Sequence, residues 1–166
     1  MADVRLRAAR ADAADEDFLW RMLVEAASWR PGEPRLTASE LRAQPSHALY
    51  LESWGRAGDA GVIAQAGSAP VGAAWWRVFS EERHGYGFIE AAVPELSIGV
   101  LADMRGRGVG TALLQALIEQ AREGGVPALS LSVEGENPAL RLYRRLGFTA
   151  VGTVENALTM RLDTAA

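Results

Sequence analysis

The feature that most constrains this chain is a strand that runs through a turn rich in glycine and arginine into an amphipathic helix. Pro94 to Leu101 alternates apolar and polar residues, which predicts a strand with one buried face. Ala102 to Gly108 predicts a loop, and leucines at three- and four-residue steps predict a helix that ends near Glu123. Leu129 to Val133 then predicts a short buried strand. A strand, a helix and a strand in this order indicate a crossover between parallel strands.

The other patterns surround this crossover with further strands and helices. The predicted strands are Val4 to Ala8, Gly61 to Ala66, Val71 to Phe79, Thr149 to Val154 and Ala157 to Leu162. The predicted helices are Ala13 to Ala27, a short helix that Thr37 starts and Pro45 stops, and Asn137 to Leu146. The order predicts a mixed α/β domain with a largely antiparallel front, and the 166 residues suit one domain over 1–166.

Composition excludes several chemistries. The chain has no Cys, so disulfides and thiolate nucleophiles are excluded. It has no Lys, since all 17 basic residues are Arg, which removes a Walker-type loop and a Lys Schiff base. His47 and His84 are too few for a metal site built mainly from His, so we expect no metal. The Arg-rich, Lys-free usage suggests a GC-rich bacterial genome.

Charge and hydropathy bear on partners and location. The net charge of −4 argues against a nucleic-acid partner. The N-terminus has no apolar stretch suited to a signal peptide, and no window approaches the length of a membrane span. We therefore expect a cytoplasmic protein with no membrane partner.

The turn has the chemistry of an anion-binding site. Glycine lets the backbone bend tightly and lets a ligand approach the main chain, and Gly106, Gly108 and Gly110 lie at alternate positions. The first N–H groups of a helix have no partner within it, and with the helix dipole they attract negative charge. Arg105 and Arg107 add positive charge that suits forked contacts with phosphate. We therefore expect this turn to bind a pyrophosphate.

Glycine spacing separates this turn from the dinucleotide-binding fingerprint. Gly106 and Gly108 fit the first two glycines of that pattern, but Thr111 stands where the third belongs. A surface turn that happens to be rich in Gly and Arg is the alternative interpretation.

Two segments together resemble the GNAT superfamily of N-acetyltransferases. The pattern Arg105-x-x-Gly108-x-Gly110 is similar to the acyl-CoA loop of that family, and the strand before it ends in Val100, as the family's splayed strand often does. Residues 130–148 look like the second signature, in which a strand is followed by Asn, a helix, Leu-Tyr and Gly-Phe. Either segment alone is only moderately specific, whereas the two together are specific.

The resemblance is close from Glu95 to about Met160 and weaker, though consistent in element order, from Val4. It implies a mostly antiparallel central sheet with flanking helices and a splayed strand pair, and acetyl-CoA as the cofactor. Pantetheine would pair with the splayed strand, the pyrophosphate would lie on the turn, and Asn137 would hydrogen-bond the pantetheine arm. The implied cofactor-binding residues are Ile98, Gly99, Val100, Arg105, Gly106, Arg107, Gly108, Val109, Gly110, Thr111, Asn137, Ala139 and Tyr143.

The chemistry of amine acylation asks for a base and an acid. An amine with a pKa of about 10.4 is protonated at neutral pH, so a carboxylate has to take its proton, directly or through water. Glu95 resembles the family's frequent Glu on the splayed strand and is the candidate base, with Glu90 or ordered water as alternatives. Tyr143 matches the family's Leu-Tyr position and is the candidate acid for the leaving thiolate. A solvated Glu95 and a core aromatic at position 143 are the structural alternatives.

The acceptor side is less specific. In the family fold, the front half and the loop before the splayed strand usually face the acceptor. An aromatic wall there could hold an apolar or cationic group, although core packing is the alternative and at most one of Trp75 and Trp76 can face the site. The candidate acceptor residues are Trp29, Arg30, Trp54, Trp75, Tyr86 and Phe88.

These patterns predict an acetyl-CoA-dependent N-acetyltransferase that acts by direct transfer in a ternary complex, because no Cys can carry the acyl group. The acceptor is a small-molecule or peptide amine that the sequence does not name. A homodimer through the C-terminal strands is compatible with the resemblance. A non-catalytic CoA- or ligand-binding module and a nucleotide-binding domain are the alternative functions.

Overall fold

The structure is a computed structural model that describes residues 3–165. The chain divides into two compact units. The first unit combines residues 3–76 with Ser97–Leu117, and the second combines Arg77–Leu96 with residues 118–165. Three elements, two strands and a long helix, each contribute residues to both units.

The first unit contains the N-terminal strands and helices. Its strands follow the order β1-β2-β3-β4, and β1 with β2 and β2 with β3 are antiparallel. Its elements are β1 (Val4–Ala8), α1 (Ala13–Ala27), α2 (Ala38–Ala43), α3 (Pro45–Ala48), β2 (Ala60–Ala66), β3 (Ala69–Arg77, with Arg77 in the second unit), the end of β4 (Glu95–Val100) and the start of α4 (Val109–Glu123).

The second unit contains the start of β4 and the C-terminal elements. Its strands follow the order β4-β5-β7-β6; β4 and β5 are parallel, whereas β5 with β7 and β7 with β6 are antiparallel. Its other elements are the end of α4, β5 (Ala128–Glu134), α5 (Ala139–Arg145), β6 (Thr149–Val154) and β7 (Ala157–Asp163). Seven mostly antiparallel strands with flanking helices confirm the predicted fold class.

Most element bounds agree with the sequence patterns because each end carries a local signal. Asp12 caps α1 by accepting a hydrogen bond from the Asp15 N–H at 2.9 Å. The Glu40 N–H donates to Thr37 Oγ1 at 3.1 Å, as the capping pattern predicts for α2. Pro45 stops α2 and also begins α3, a short helix that the sequence reading missed.

Helix α1 is fixed to β1 by a nearly buried ion pair. The two terminal guanidinium nitrogens of Arg7, Nη1 and Nη2, donate to the Asp15 carboxylate at 2.7 Å, and the Arg10 N–H donates to the same carboxylate at 2.7 Å. These hydrogen bonds, with that from Arg7 the strongest, hold the pKa of Asp15 below its usual value. The start of α1 is therefore held against the sheet by this ion pair and its hydrogen bonds as well as by apolar packing.

Gly99 lets strand β4 lie directly against the backbone of α1. A Cβ atom at Gly99 would lie 2.2 Å from the Met22 carbonyl oxygen and 2.8 Å from its carbonyl carbon. Both contacts are with main-chain atoms, so no side-chain rotation can relieve them. Only glycine fits here, and the reason is the close approach of two elements.

We expect Gly99→Ala to lower the free energy of unfolding by about 2 kcal/mol, because overpacking against the α1 backbone forces that helix to shift. Urea unfolding followed by circular dichroism measures this. Gly152→Ala is the matched control, since Gly152 also lies in a strand but has nothing within 4 Å of its Cβ position. Equal stability of the two variants would contradict the close packing.

Within residues 3–165, the structure contains no helix that is long and apolar enough to span a membrane. The same residues contain no group of three or more His, Cys, Asp or Glu side chains that could hold a metal ion. A single domain over the whole chain stays a prediction.

Candidate functional site

The turn between β4 and α4 has an open, left-handed backbone. A short 3₁₀ turn, Ala102–Met104, follows β4, and Met104 is buried beneath it. Gly106 and Gly108 have φ values of 72° and 84°, in the region that disfavours other residues. A Cβ atom at either glycine would have nothing within 4 Å, so the space above them is empty of protein. We call residues 104–111 the glycine-rich segment.

From Gly106 to Thr111, the N–H groups of this segment have no protein acceptor within the described residues. Among the hydrogen bonds within residues 3–165, none uses an N–H from Gly106 through Thr111, and the Ala112 N–H is the first to bond back, to Gly108 O at 3.0 Å. Arg107 is exposed and makes no ion pair within the described residues. Unpaired donors, the positive end of α4 and a nearby guanidinium together form a place that favours an anion.

Arg105 is oriented differently from Arg107. Its Nε donates to Val100 O at 3.1 Å, and its Nη2 pairs with Glu25 Oε2 at 2.8 Å. The guanidinium therefore contacts the end of β4 and helix α1. The expected direct contact of Arg105 with phosphate stays a prediction.

One edge of β4 is directed away from β3. The Leu101 N–H, just after β4, donates to Val71 O on β3 at 2.9 Å. Alternate residues of a strand direct their N–H and C=O groups to opposite edges, so Gly99 shares the β3 edge while Ile98 and Val100 face the other way.

Within the second unit, β4 and β5 pair in parallel at Glu95 and Ser130, and the Ser130 N–H donates to Pro94 O at 2.9 Å. The pairing of Ile98 and Val100 with an extended, strand-like ligand stays a prediction.

The sequence predicts Asn137 as the N-cap of α5 and Pro138 as its first residue. In the structure Pro138 is the N-cap, with no side-chain cap hydrogen bond, and the helix begins one residue later, at Ala139. Asn137 Oδ1 accepts a hydrogen bond from the Ala139 N–H at 3.0 Å. A contact between Asn137 and a ligand stays a prediction.

Tyr143 lies on α5 with its ring buried and 7% of its surface exposed. The ring packs edge-on against Phe148, with centroids 6.0 Å apart. Within residues 3–165, no hydrogen bond uses its hydroxyl, and burial raises the pKa of Tyr143 above its usual value of 10.0. The core-aromatic alternative therefore describes the ring, while the phenol remains protonated at neutral pH and able to donate.

Glu95 is buried, with 2% of its surface exposed, so the solvated alternative is wrong. The alternation predicted for its strand is only partly kept, because the adjacent Leu96 is also buried. Arg77, at the end of β3, is fully buried in the same unit, and the sequence reading missed it. The burial of an acidic and a basic side chain, Glu95 and Arg77, is unusual and can be seen only in the folded structure. Glu90, the alternative base, is exposed.

The candidate acceptor residues of the first unit are mostly committed to internal contacts. Trp75 is fully buried and donates from Nε1 to Tyr50 O at 3.1 Å, so it has no surface for an acceptor. Trp54 donates to Arg10 O at 3.1 Å. Trp29 is partly exposed, with the Arg30 guanidinium 5.1 Å from its ring centroid. The core-packing interpretation therefore holds for Trp75, and Trp29 with Arg30 remains on the surface.

The candidate acceptor residues of the second unit lie on the loop between β3 and β4. Tyr86 is 40% exposed, and Phe88 stacks on His84 with centroids 4.3 Å apart. Between them, a Cβ at Gly87 would lie 2.6 Å from the backbone of Leu131 on β5, so the loop is pressed against that strand. This packing presents Tyr86 as the exposed aromatic of the loop.

Comparison with known proteins identifies the class. The Acetyltransferase (GNAT) family profile matches residues 19–148, which is most of the chain and includes the glycine-rich segment, Asn137 and Tyr143. The chain belongs to the GNAT family of acetyltransferases, and the predicted resemblance is confirmed.

Two curated relatives are named mycothiol acetyltransferase. The protein from Saccharomonospora viridis is 32% identical over 141 residues, covering 84% of this chain and 44% of the relative. That from Actinosynnema mirum is 31% identical over 136 residues, covering 81% of this chain and 41% of the relative. The chain thus spans less than half the length of these relatives.

Solved structures match over nearly whole chains. A ribosomal-protein-alanine N-acetyltransferase from Brucella melitensis is 25% identical with a TM-score of 0.67, covering 96% of this chain and 99% of that one. An N-acetyltransferase from Thermoplasma acidophilum in complex with coenzyme A is 14% identical with a TM-score of 0.69, covering 97% and 99%. The second likeness shows the fold alone.

Proposed function

We propose that this chain transfers an acetyl group from acetyl-CoA to a primary amine by direct attack. Support comes from membership in the GNAT family and from relatives named for acetyl transfer to different acceptors. The donor supplies a thioester, the new bond joins the amine nitrogen to the carbonyl carbon, and the carbon–sulfur bond breaks. The chain has no Cys to carry the acetyl group between two half-reactions.

The observation that carries the proposal is the row of unpaired N–H groups from Gly106 to Thr111. Each unsatisfied donor favours an acceptor oxygen, and the open space over Gly106 and Gly108 admits one. The residues therefore fit a pyrophosphate, with Arg107 available to add a charge-assisted contact.

We assign the proton transfers to residues of the second unit. Glu95 accepts the proton of the incoming ammonium, directly or through water. We assign Tyr143 to assist the charge that develops on sulfur. Full proton transfer from an ordinary tyrosine to a thiolate of pKa about 8.5 costs about 2 kcal/mol, and the raised pKa of Tyr143 increases that cost. We therefore infer that its hydroxyl acts mainly as a hydrogen-bond donor to the leaving group.

A thiol-release assay tests the activity. Purified protein with acetyl-CoA is given a panel of amines that includes L-methionine sulfoximine, polyamines and a peptide with N-terminal alanine. Release of free thiol with at least one amine supports the proposal. Saturable CoA binding with no release on any acceptor would instead support the binding module, and thermal stabilisation by NAD or ATP but not CoA would support a nucleotide-binding domain.

We expect Glu95→Gln to lower kcat/KM and to shift its pH profile, because the variant cannot accept a proton. Initial rates from pH 6 to about pH 9 check this. Glu90→Gln is the control, and we expect its profile to match the parent. If the two results are exchanged, Glu90 is the base, and if neither profile changes, water performs this step.

The cytoplasmic location and the homodimer remain proposals. Gel filtration with light scattering decides the oligomeric state.

A further inference from the structure

Glu25 connects the glycine-rich segment to helix α1. Its side chain is 11% exposed, and each carboxylate oxygen binds a different arginine. Oε2 pairs with Arg105 Nη2 at 2.8 Å, and Oε1 pairs with Arg35 Nη2 at 2.6 Å. Charge-assisted contacts of this length to a nearly buried carboxylate are stronger than ordinary surface pairs.

The guanidinium of Arg105 makes a second contact, with the end of β4. Its Nε donates to Val100 O at 3.1 Å, so one guanidinium joins the last residue of β4 to α1. The segment has few other ties, because the Met104 and Arg105 N–H groups bond only within the 3₁₀ turn, to Leu101 O and Ala102 O. The contacts of Arg105 therefore fix the position of the chain just before Gly106 and Gly108, the two glycines with left-handed backbone.

We propose that Glu25 is a positioning residue for the glycine-rich segment and acts through Arg105. This inference rests on the proposed function, since it assumes that the segment binds the pyrophosphate of CoA. With Glu25 in place, Arg105 is held against α1 and β4, and the unpaired N–H groups are presented in one arrangement. N–H groups that are already held in place bind a ligand more tightly, because less backbone conformational entropy is lost on binding.

A direct phosphate contact by Arg105 makes the opposite prediction. If Arg105 binds phosphate itself, its pairing with Glu25 competes with the ligand, and removing the carboxylate frees the guanidinium. Loss of a negative charge beside an anion site also favours anion binding by simple electrostatics. Weaker binding after loss of Glu25 therefore indicates lost positioning rather than a changed charge.

The test is the affinity of CoA for Glu25→Gln, measured by isothermal titration calorimetry. We expect Kd to rise about tenfold, equivalent to about 1.4 kcal/mol. In steady-state assays KM for acetyl-CoA should rise while kcat at saturation stays within about twofold, because the reacting groups are untouched. Asp17→Asn removes the same charge from exposed α1 surface and should leave Kd unchanged. Circular dichroism verifies that both variants are folded.

Two further variants identify the route. In Arg105→Gln, adding Glu25→Gln should cause no further loss, since both changes break one contact. Arg35→Gln should leave Kd within about twofold, because Oε2 keeps its partner. Unchanged or tighter binding by Glu25→Gln overturns the inference, as does an equal loss in Arg35→Gln. Failure of the parent protein to bind CoA would overturn the proposed function instead.

Discussion

Gly108→Glu is expected to abolish CoA binding while the protein stays folded. The new carboxylate would project into the empty space over the glycine-rich segment and repel a diphosphate from the N–H groups that follow. A residue other than glycine at φ 84° adds about 1–2 kcal/mol of strain, which a folded domain tolerates. We expect Kd for CoA to rise at least about 100-fold by calorimetry, or about 2.7 kcal/mol.

Gly125→Glu is the matched control for this variant. Gly125 follows α4, has φ 71° and has nothing within 4 Å of its Cβ position, so the backbone strain and the added charge are alike. We expect a similar loss of stability and normal CoA affinity. Parent-like affinity in Gly108→Glu would refute the pyrophosphate site.

Tyr143→Phe is expected to reduce kcat about 100-fold with little change in KM for acetyl-CoA, because general acid or hydrogen-bond assistance to the leaving group is lost while the ring remains. The ring packing against Phe148 is kept, so the fold should be unaffected. Thiol release at saturating donor and acceptor is the measurement.

Tyr50→Phe provides the comparison, since it removes a hydroxyl from another buried tyrosine that has no place in the proposed chemistry. A large effect in Tyr143→Phe alone supports the assigned role. Parent-like turnover in Tyr143→Phe would mean that Tyr143 is only a core residue. Water would then stabilise the leaving thiolate.

Local sequence signals predicted most elements because each depends on near neighbours. The glycines after α4, the Thr37 cap and the apolar stripe of α4 determine ends and faces through contacts within a few residues. The missed helix α3 shows the limit of this reasoning, since Pro45 was interpreted only as a stop and it also begins a helix.

Side-chain commitments were harder to predict because they depend on distant partners. Trp75 looked like a ligand-binding aromatic, yet its indole N–H bonds to Tyr50 O, and the residue is fully buried. The contact of Arg105 with phosphate stays a prediction, and its observed partner Glu25 lies 80 positions away in sequence. No local pattern encodes such pairs.

The sequence by itself determined the glycine-rich turn at the start of α4 and the family to which the chain belongs, because both rest on residue types at short, fixed spacings. Only the tertiary structure decided which N–H donors stay unpaired, which arginine of the turn pairs with Glu25 and why Gly99 must be a glycine. Those properties arise where remote segments meet, and burial and hydrogen bonding there are settled by the packing of the folded chain.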